Sequence, residues 1–168
     1  MFQGNYPQLM AHYNEWMNSR LYAACATLDE AALREDRGAY FGSIFATLEH
    51  LVWGDAAWLA RFRGETIGKP PQGGSQYADF AALRAAREAL DARILDWTQG
   101  LDEAWLGGSM TWTSLLYGFT ETQARLVLVA QMFNHGTHHR GQVTTLLSQL
   151  GVDMGVTDIP MLPQLRGA

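Results

Sequence analysis

The last long segment of the chain, from about Gln123 to Leu150, carries Leu128, Met132, His135, His139, Val143, Leu146 and Leu150 at steps of three and four. That spacing lays these side chains along one stripe of an α-helix. A stripe of this length is stable in water only when other helices cover it. Two of its positions hold imidazoles where the pattern asks for apolar side chains. A buried polar group left without a partner costs about 1–3 kcal/mol, so His135 and His139 must each find one. The segment therefore constrains the fold to packed helices and marks where its chemistry starts.

Three further segments share the period. The first runs from about Pro7 to Leu28, with Leu9, Tyr13, Met17, Leu21, Ala24 and Leu28 in step, and Pro7 suits a first turn. Residues Asp29 to Gly42 read as a turn and polar loop, after which Ser43 is placed as an N-cap. The second helix is expected from Ile44 to Arg63, stopped by Gly64. It has one stripe of Ala46, His50, Trp53, Ala57 and Ala60 beside another of Ile44, Leu48, Leu51 and Leu59. A helix this apolar belongs at the centre of a bundle. Gly64 to Gly74, with Pro70 and Pro71, is a loop.

The third helix is expected from about Tyr77 to Thr98, with Leu83, Ala86, Leu90, Ile94 and Trp97 inward. Arg84, Arg87, Glu88, Asp91 and Arg93 read as its solvated face, and Gly100 closes it. Leu106 to Thr122 is rich in β-branched and aromatic residues around Gly118, which favours a short hairpin or extended excursion. The tail, with Pro160 and Pro163, is a loop that folds back over the bundle or stays loose. The expectation is an all-α fold in one domain, residues 1–168. It is a four-helix bundle with a short extended excursion before the fourth helix.

Composition narrows the function. With 168 residues, 48% of them hydrophobic, the chain can bury a sizeable core. A formal charge of −5 and a pI near 5.4 speak against nucleic-acid partners, which require a basic stripe. No apolar run reaches membrane-spanning length, and the start Met1-Phe2-Gln3-Gly4-Asn5 lacks a secretion signal, so a cytoplasmic location is expected. The single cysteine, Cys25, lies among alanines and reads as a small core residue.

Residues four apart on a helix share a face, so His135 and His139 can grip one metal ion from one side. His50 repeats the pattern on the second helix, between Ala46 and Trp53. Three core-facing histidines on two helices can point at one place, and the set His50, His135 and His139 is read as a metal site ahead of three separate core histidines. Three imidazoles leave a metal with open positions, as in catalytic sites. Nitrogen donors suit divalent transition metals: zinc or nickel first, with iron, copper or manganese as alternatives. Glu49, Asn134 and Gln142 are candidates to brace the ligands. His138 lies off the stripe as a bracing or surface residue, and His12 reads as a surface or cap-proximal histidine. Gly136 costs the helix about 1 kcal/mol, for which close approach of another helix is one reason.

With these residues in place, the chain resembles the DinB-like (DinB/YfiT) superfamily of metal-binding helical bundles. The matching pieces are His12-Tyr13-Asn14-Glu15-Trp16-Met17-Asn18, Thr47-Leu48-Glu49-His50-Leu51 and Phe133-Asn134-His135-Gly136-Thr137-His138-His139-Arg140-Gly141-Gln142. They span nearly the whole chain in the right order, and the last is the specific one. The resemblance implies a four-helix bundle with a long crossover between helices two and three, supplied here by the Gly64 to Gly74 loop. It also implies a divalent metal on His50, His135 and His139, and a homodimer. It further implies a metal-dependent S-transferase or isomerase that takes a low-molecular-weight thiol such as bacillithiol or mycothiol and a small electrophile, with no role for Cys25. Two other readings stand beside it. One is a metal-activated hydrolase, for which Glu49 is a weak base candidate. The other is a non-enzymatic, metal-containing stress-response protein. No nucleic-acid or membrane partner is expected.

Overall fold

Three of the four long helices begin at a side chain that accepts a hydrogen bond from the first turn, satisfying amides that have no partner within the helix. In the computed structural model, which describes residues 2–68 and 74–166, α1 spans Tyr6–Cys25 behind the cap Asn5. Its side chain takes the Gln8 amide at 3.0 Å while the Gln8 side chain takes the Asn5 amide at 2.9 Å, a reciprocal box. α2 is Glu30–Arg34 and α3 is Ile44–Arg63. α3 opens on Ser43 and closes on Gly64, whose φ of 68° is a left-handed conformation that favours glycine. α4 is Phe80–Gln99 behind Asp79, and α5 is Glu103–Leu106.

Two antiparallel strands follow, β1 Ser109–Thr113 and β2 Thr120–Ala124, paired from Ser109 with Ala124 to Thr113 with Thr120. β2 runs directly into α6, Arg125–Gln149, which has no side-chain cap because the strand feeds its first turn. A 3₁₀ turn at Ile159–Met161 and α7, Pro163–Arg166, complete the described chain.

The fold is mostly helical with this one small sheet. α1 packs on α4 and α6, and α3 packs on the same two helices. Between them lie fully buried Leu21, Ile44, Leu48, Leu59, Leu83, Val129, Val143 and Leu147. At one end Phe62 stacks flat on Trp97, with ring centroids 4.9 Å apart. The tail folds back on α1: the Tyr13 hydroxyl donates to the Thr157 carbonyl at 2.6 Å, and Arg20 donates to the carbonyls of Met154 and Val156. No helix among the described residues is long and apolar enough to cross a membrane.

Several expected boundaries move. α2 interrupts the expected 29–42 loop, because Asp29 caps it and Leu33 anchors it in the core. α1 ends at Cys25 rather than Leu28, and α4 starts at Phe80 rather than Tyr77, where Asp79 supplies the cap. Lys69 to Gly73 of the expected crossover, including Pro70 and Pro71, lie outside the described residues.

The expected solvated face of α4 needs correcting. Arg84, Glu88 and Arg93 reach solvent, but Arg87 is 2% and Asp91 5% exposed. Both fall on the stripe of Leu83, Leu90 and Ile94, and they are tolerated there because each compensates the other's charge. The Arg87 guanidinium donates to Asp91 at 2.7 and 3.1 Å and to Asp55 of α3 at 2.8 Å. From α1, Asn18 donates to Asp91 at 3.0 Å and Asn14 to Asp91 at 3.3 Å and Asp55 at 3.5 Å. Arg140 of α6 donates to the Asn14 side-chain oxygen, to Asn18 at 3.4 Å and to Thr137 at 3.1 Å. Two guanidiniums and two carboxylates, formally neutral together, thus tie all four long helices at one level.

Candidate metal centre

One end of this buried network abuts the histidines. His50 projects from α3, and His135 and His139 from consecutive turns of α6. Their Nε2 atoms converge: His135 Nε2 lies 3.1 Å from that of His50 and 3.1 Å from that of His139. All three ligand atoms lie within 4.8 Å of one another. Gly54, one turn beyond His50, leaves room for this arrangement. A Cβ there would stand 2.9 Å from His135 Cε1, a distance at which something must move.

The donor set fits a metal ion better than it fits hydrogen bonding alone. An imidazole Nε2 offers either one proton or one lone pair, so His135 Nε2 cannot serve both neighbours well. A single cation satisfies all three lone pairs. Nitrogens bound at about 2.0–2.1 Å to one ion lie about 3.3 Å apart in a tetrahedron and about 2.9 Å at right angles. The observed 3.1 Å falls between. Gln142, one turn on from His139, accepts from its Nδ1 at 2.7 Å. That bond places the proton on Nδ1 and turns the Nε2 lone pair toward the cluster.

Electrostatics keeps the rings neutral. Burial, then the neighbouring imidazoles, pulls His50 down to about 3. Burial and His139 pull His135 down to about 4, against an opposing pull from Asp55. Burial lowers His139 as well. Neutral rings are the form a metal requires. Phe41 stacks on His50 with centroids 4.0 Å apart and fixes the ring plane.

The other sequence candidates separate. Gln142 braces a ligand; Asn134 is exposed on α6 and does not. Glu49 faces a loop instead: its Oε1 accepts from Ser75 Oγ at 2.7 Å and from the amides of Gln76 at 2.6 Å and Tyr77 at 3.3 Å. His138 is exposed and lies edge-on to His139 at 4.8 Å. His12 packs against Phe2 and takes no part in the cluster. Cys25 is fully buried, and burial pushes its thiol up to about 12. Gly136 answers to α1, since a Cβ there would meet Asn14 Oδ1 at 3.3 Å and Arg140 at 3.1 Å. Sequence reasoning misses Gly54, Asp55 and Phe41. A carboxylate in the most apolar helix, directly after a glycine, is the signal available for the first two.

The family model described as the DinB family matches residues 1–166. The chain belongs to the DinB family. Among curated proteins, it is similar to "Protein DinB" of Bacillus subtilis (strain 168), at 24% identity over 152 residues, covering 87% of each chain. The three clustered histidines of this DinB-family chain are thus carried on helices that the family match spans in full.

Proposed function

We propose that this chain holds one divalent transition metal, zinc or nickel, on His50, His135 and His139, and transfers a low-molecular-weight thiol to a small electrophile. The observation that carries this reading is the convergence of three Nε2 atoms on the wall of a cavity of about 560 Å³ that is open to solvent. Three protein donors leave coordination positions facing that space. When bound there, the ion would supply Lewis acidity that lowers a thiol's pKa and raises its thiolate fraction at neutral pH.

The chain's own residues do the rest. His50 and His135 are held neutral and need shed no proton to act as ligands. Gln142 fixes the tautomer of His139, and Phe41 fixes the plane of His50. Cys25 is fully buried with its thiol pushed up, so the attacking sulfur comes from a cosubstrate. Hydrolysis would need a base beside a bound water; Glu49 lines the cavity but directs its Oε1 to three loop donors and not to the histidine cluster. The same reading expects a homodimer, which sedimentation velocity measures.

The test is turnover of 1-chloro-2,4-dinitrobenzene by the metal-loaded protein, with cysteine, glutathione and bacillithiol in turn and with no thiol. Thiol-dependent turnover that disappears in His139→Ala supports the proposal. Turnover without thiol points to hydrolysis. No turnover with any thiol, while the metal stays bound, reduces the ion to a clasp between α3 and α6.

A further inference from the structure

The cavity beside the histidine cluster has a character the chemistry of S-transfer does not require. Apart from its histidines, Gln142, Glu49 and Gly74, its walls are Tyr40 and Phe41 from the loop before α3, Ala46 and Trp53 from α3, and Leu116 from the turn between β1 and β2. Among the described lining residues there is no lysine or arginine, and the one carboxylate, Glu49, is engaged by loop donors. An anion entering such a space loses water and gains no opposite charge from these side chains.

The mouth carries unusual exposure. Tyr40 is 81% and Leu116 76% exposed, although both are large and apolar. Neither sits on a frayed end. Tyr40 lies in a turn closed by Arg37 N–H to Gly42 O and Gly42 N–H to Ala39 O, both 2.8 Å. Leu116 lies in a turn closed by Ser114 N–H to Phe119 O at 2.9 Å and Gly118 N–H to Ser114 O at 3.0 Å, with Gly118 at a φ of 73°. Two separate hydrogen-bonded turns thus hold apolar side chains at one opening. Aromatic contact continues inward: Tyr40 meets Phe41 edge-on at 4.8 Å, and Phe41 stacks on His50. A volume of about 560 Å³ suits a small organic molecule.

We propose that this cavity selects its substrate by an uncharged aromatic portion, seated between Tyr40 and Leu116 at the mouth and Phe41 and Trp53 within. The inference deepens the S-transfer reading by naming the substrate class, and it is tested by binding rather than turnover. Ring faces stack on Phe41 and Trp53, and the apolar flank of the ligand covers Tyr40 and Leu116.

The probes are 1-naphthylmethanol and 1-naphthalenesulfonate, titrated calorimetrically into protein stripped of metal by chelation. The expected result is that the neutral probe binds the stripped protein at least about tenfold more tightly than the sulfonate does. Tyr40→Ser and Leu116→Ser each weaken it by about three- to tenfold with unchanged circular dichroism. Val127→Ser, exposed on α6 and outside the cavity lining, leaves it unchanged. Equal binding of the sulfonate to the stripped protein, or mouth variants within about twofold of the parent, overturns the inference. Neutral binding with no thiol-dependent turnover leaves the pocket assignment standing and sinks S-transfer. Efficient turnover of only charged electrophiles does the reverse.

Discussion

Arg87→Met tests how tightly the polar network inside the bundle depends on its central guanidinium. The substitution keeps most of the side chain's length and removes three charge-assisted hydrogen bonds, at 2.7, 2.8 and 3.1 Å. Asp55 and Asp91, 2% and 5% exposed, are left facing only the amides of Asn14 and Asn18. Stranding a buried charge in this way costs about 3–5 kcal/mol. For a domain of this size that corresponds to a fall of about 6–20 °C in Tm. Arg84→Met is the internal control, because Arg84 pairs with Glu88 at the same four-residue spacing on the same helix, at 2.8 Å. Its side chains are 42% and 62% exposed, and such a pair contributes about 0.3–0.5 kcal/mol.

The assay is urea unfolding of metal-stripped protein, followed by tryptophan fluorescence, with the two variants compared at equal slope. A pH series sharpens it. Burial already holds the Asp91 carboxyl above its ordinary value despite Arg87, and removing the guanidinium pushes it further up. A carboxyl raised in the folded state binds more protons folded than unfolded, so stability is lost as pH rises through the folded pKa. The Arg87→Met defect should therefore shrink on acidification. Equal costs for the two variants, or an Arg87→Met cost below about 1 kcal/mol, would refute the reasoning.

Gly54→Ala should improve α3's intrinsic helix propensity by about 1 kcal/mol and yet weaken metal binding by at least about tenfold. The reason is that its Cβ displaces His135; competition with a chromophoric chelator measures this, and unchanged affinity would mean the ring has room to move. Gln142→Leu should lower metal affinity by about 10–100-fold by releasing the His139 tautomer, read by the same titration. Metal-free protein should hold its stability above about pH 6.5, the unfolded histidine value, and lose it as pH falls toward the folded values of about 3 for His50 and about 4 for His135. His50→Phe should flatten that slope; parallel slopes would remove His50 from the account.

How much of this is legible in the sequence depends on what each residue's neighbours are. The ends of α3 are readable because the Ser43 side chain and the Gly64 backbone each act locally on the helix they bound, and the strand excursion is readable from Thr and Trp crowding around Gly118. The histidine stripe is readable because the period of α6 alone orients His135 and His139. Arg87 and Asp91 mislead because charge on an amphipathic helix is ordinarily solvated; only the partners Asp55, Asn14 and Asn18, from two other helices, make burial tolerable. α2 is hidden in an acidic stretch because a single buried residue, Leu33, holds it. Gly54 is silent for the same reason, since its role exists only against a ring on α6.

The nearness of the network to the histidines supplies a reason for carrying buried charge at all. Apolar stripes are non-directional, and one helix can slide against another at small cost. A slip of one residue moves a side chain by about 1.5 Å along the axis, several times the about 0.5 Å within which a ligand constellation must be held. Asp55 follows His50 by little more than a turn, and Arg140 follows His139 directly. Asn14 joins the two, accepting from Arg140 and donating to Asp55. The link Arg140–Asn14–Asp55 therefore fixes the register of α6 against α3 at the level of the metal site. Asn14→Ala should weaken metal binding by at least about tenfold, beyond what its loss of stability explains. Met17→Ala, on the same helix and 2% exposed, opens a cavity costing about 2–5 kcal/mol but leaves the link intact, and its metal affinity should stay within about threefold of the parent. If the two variants instead lose affinity in proportion to their stability, the network is a fastening of the bundle and not a register for the site.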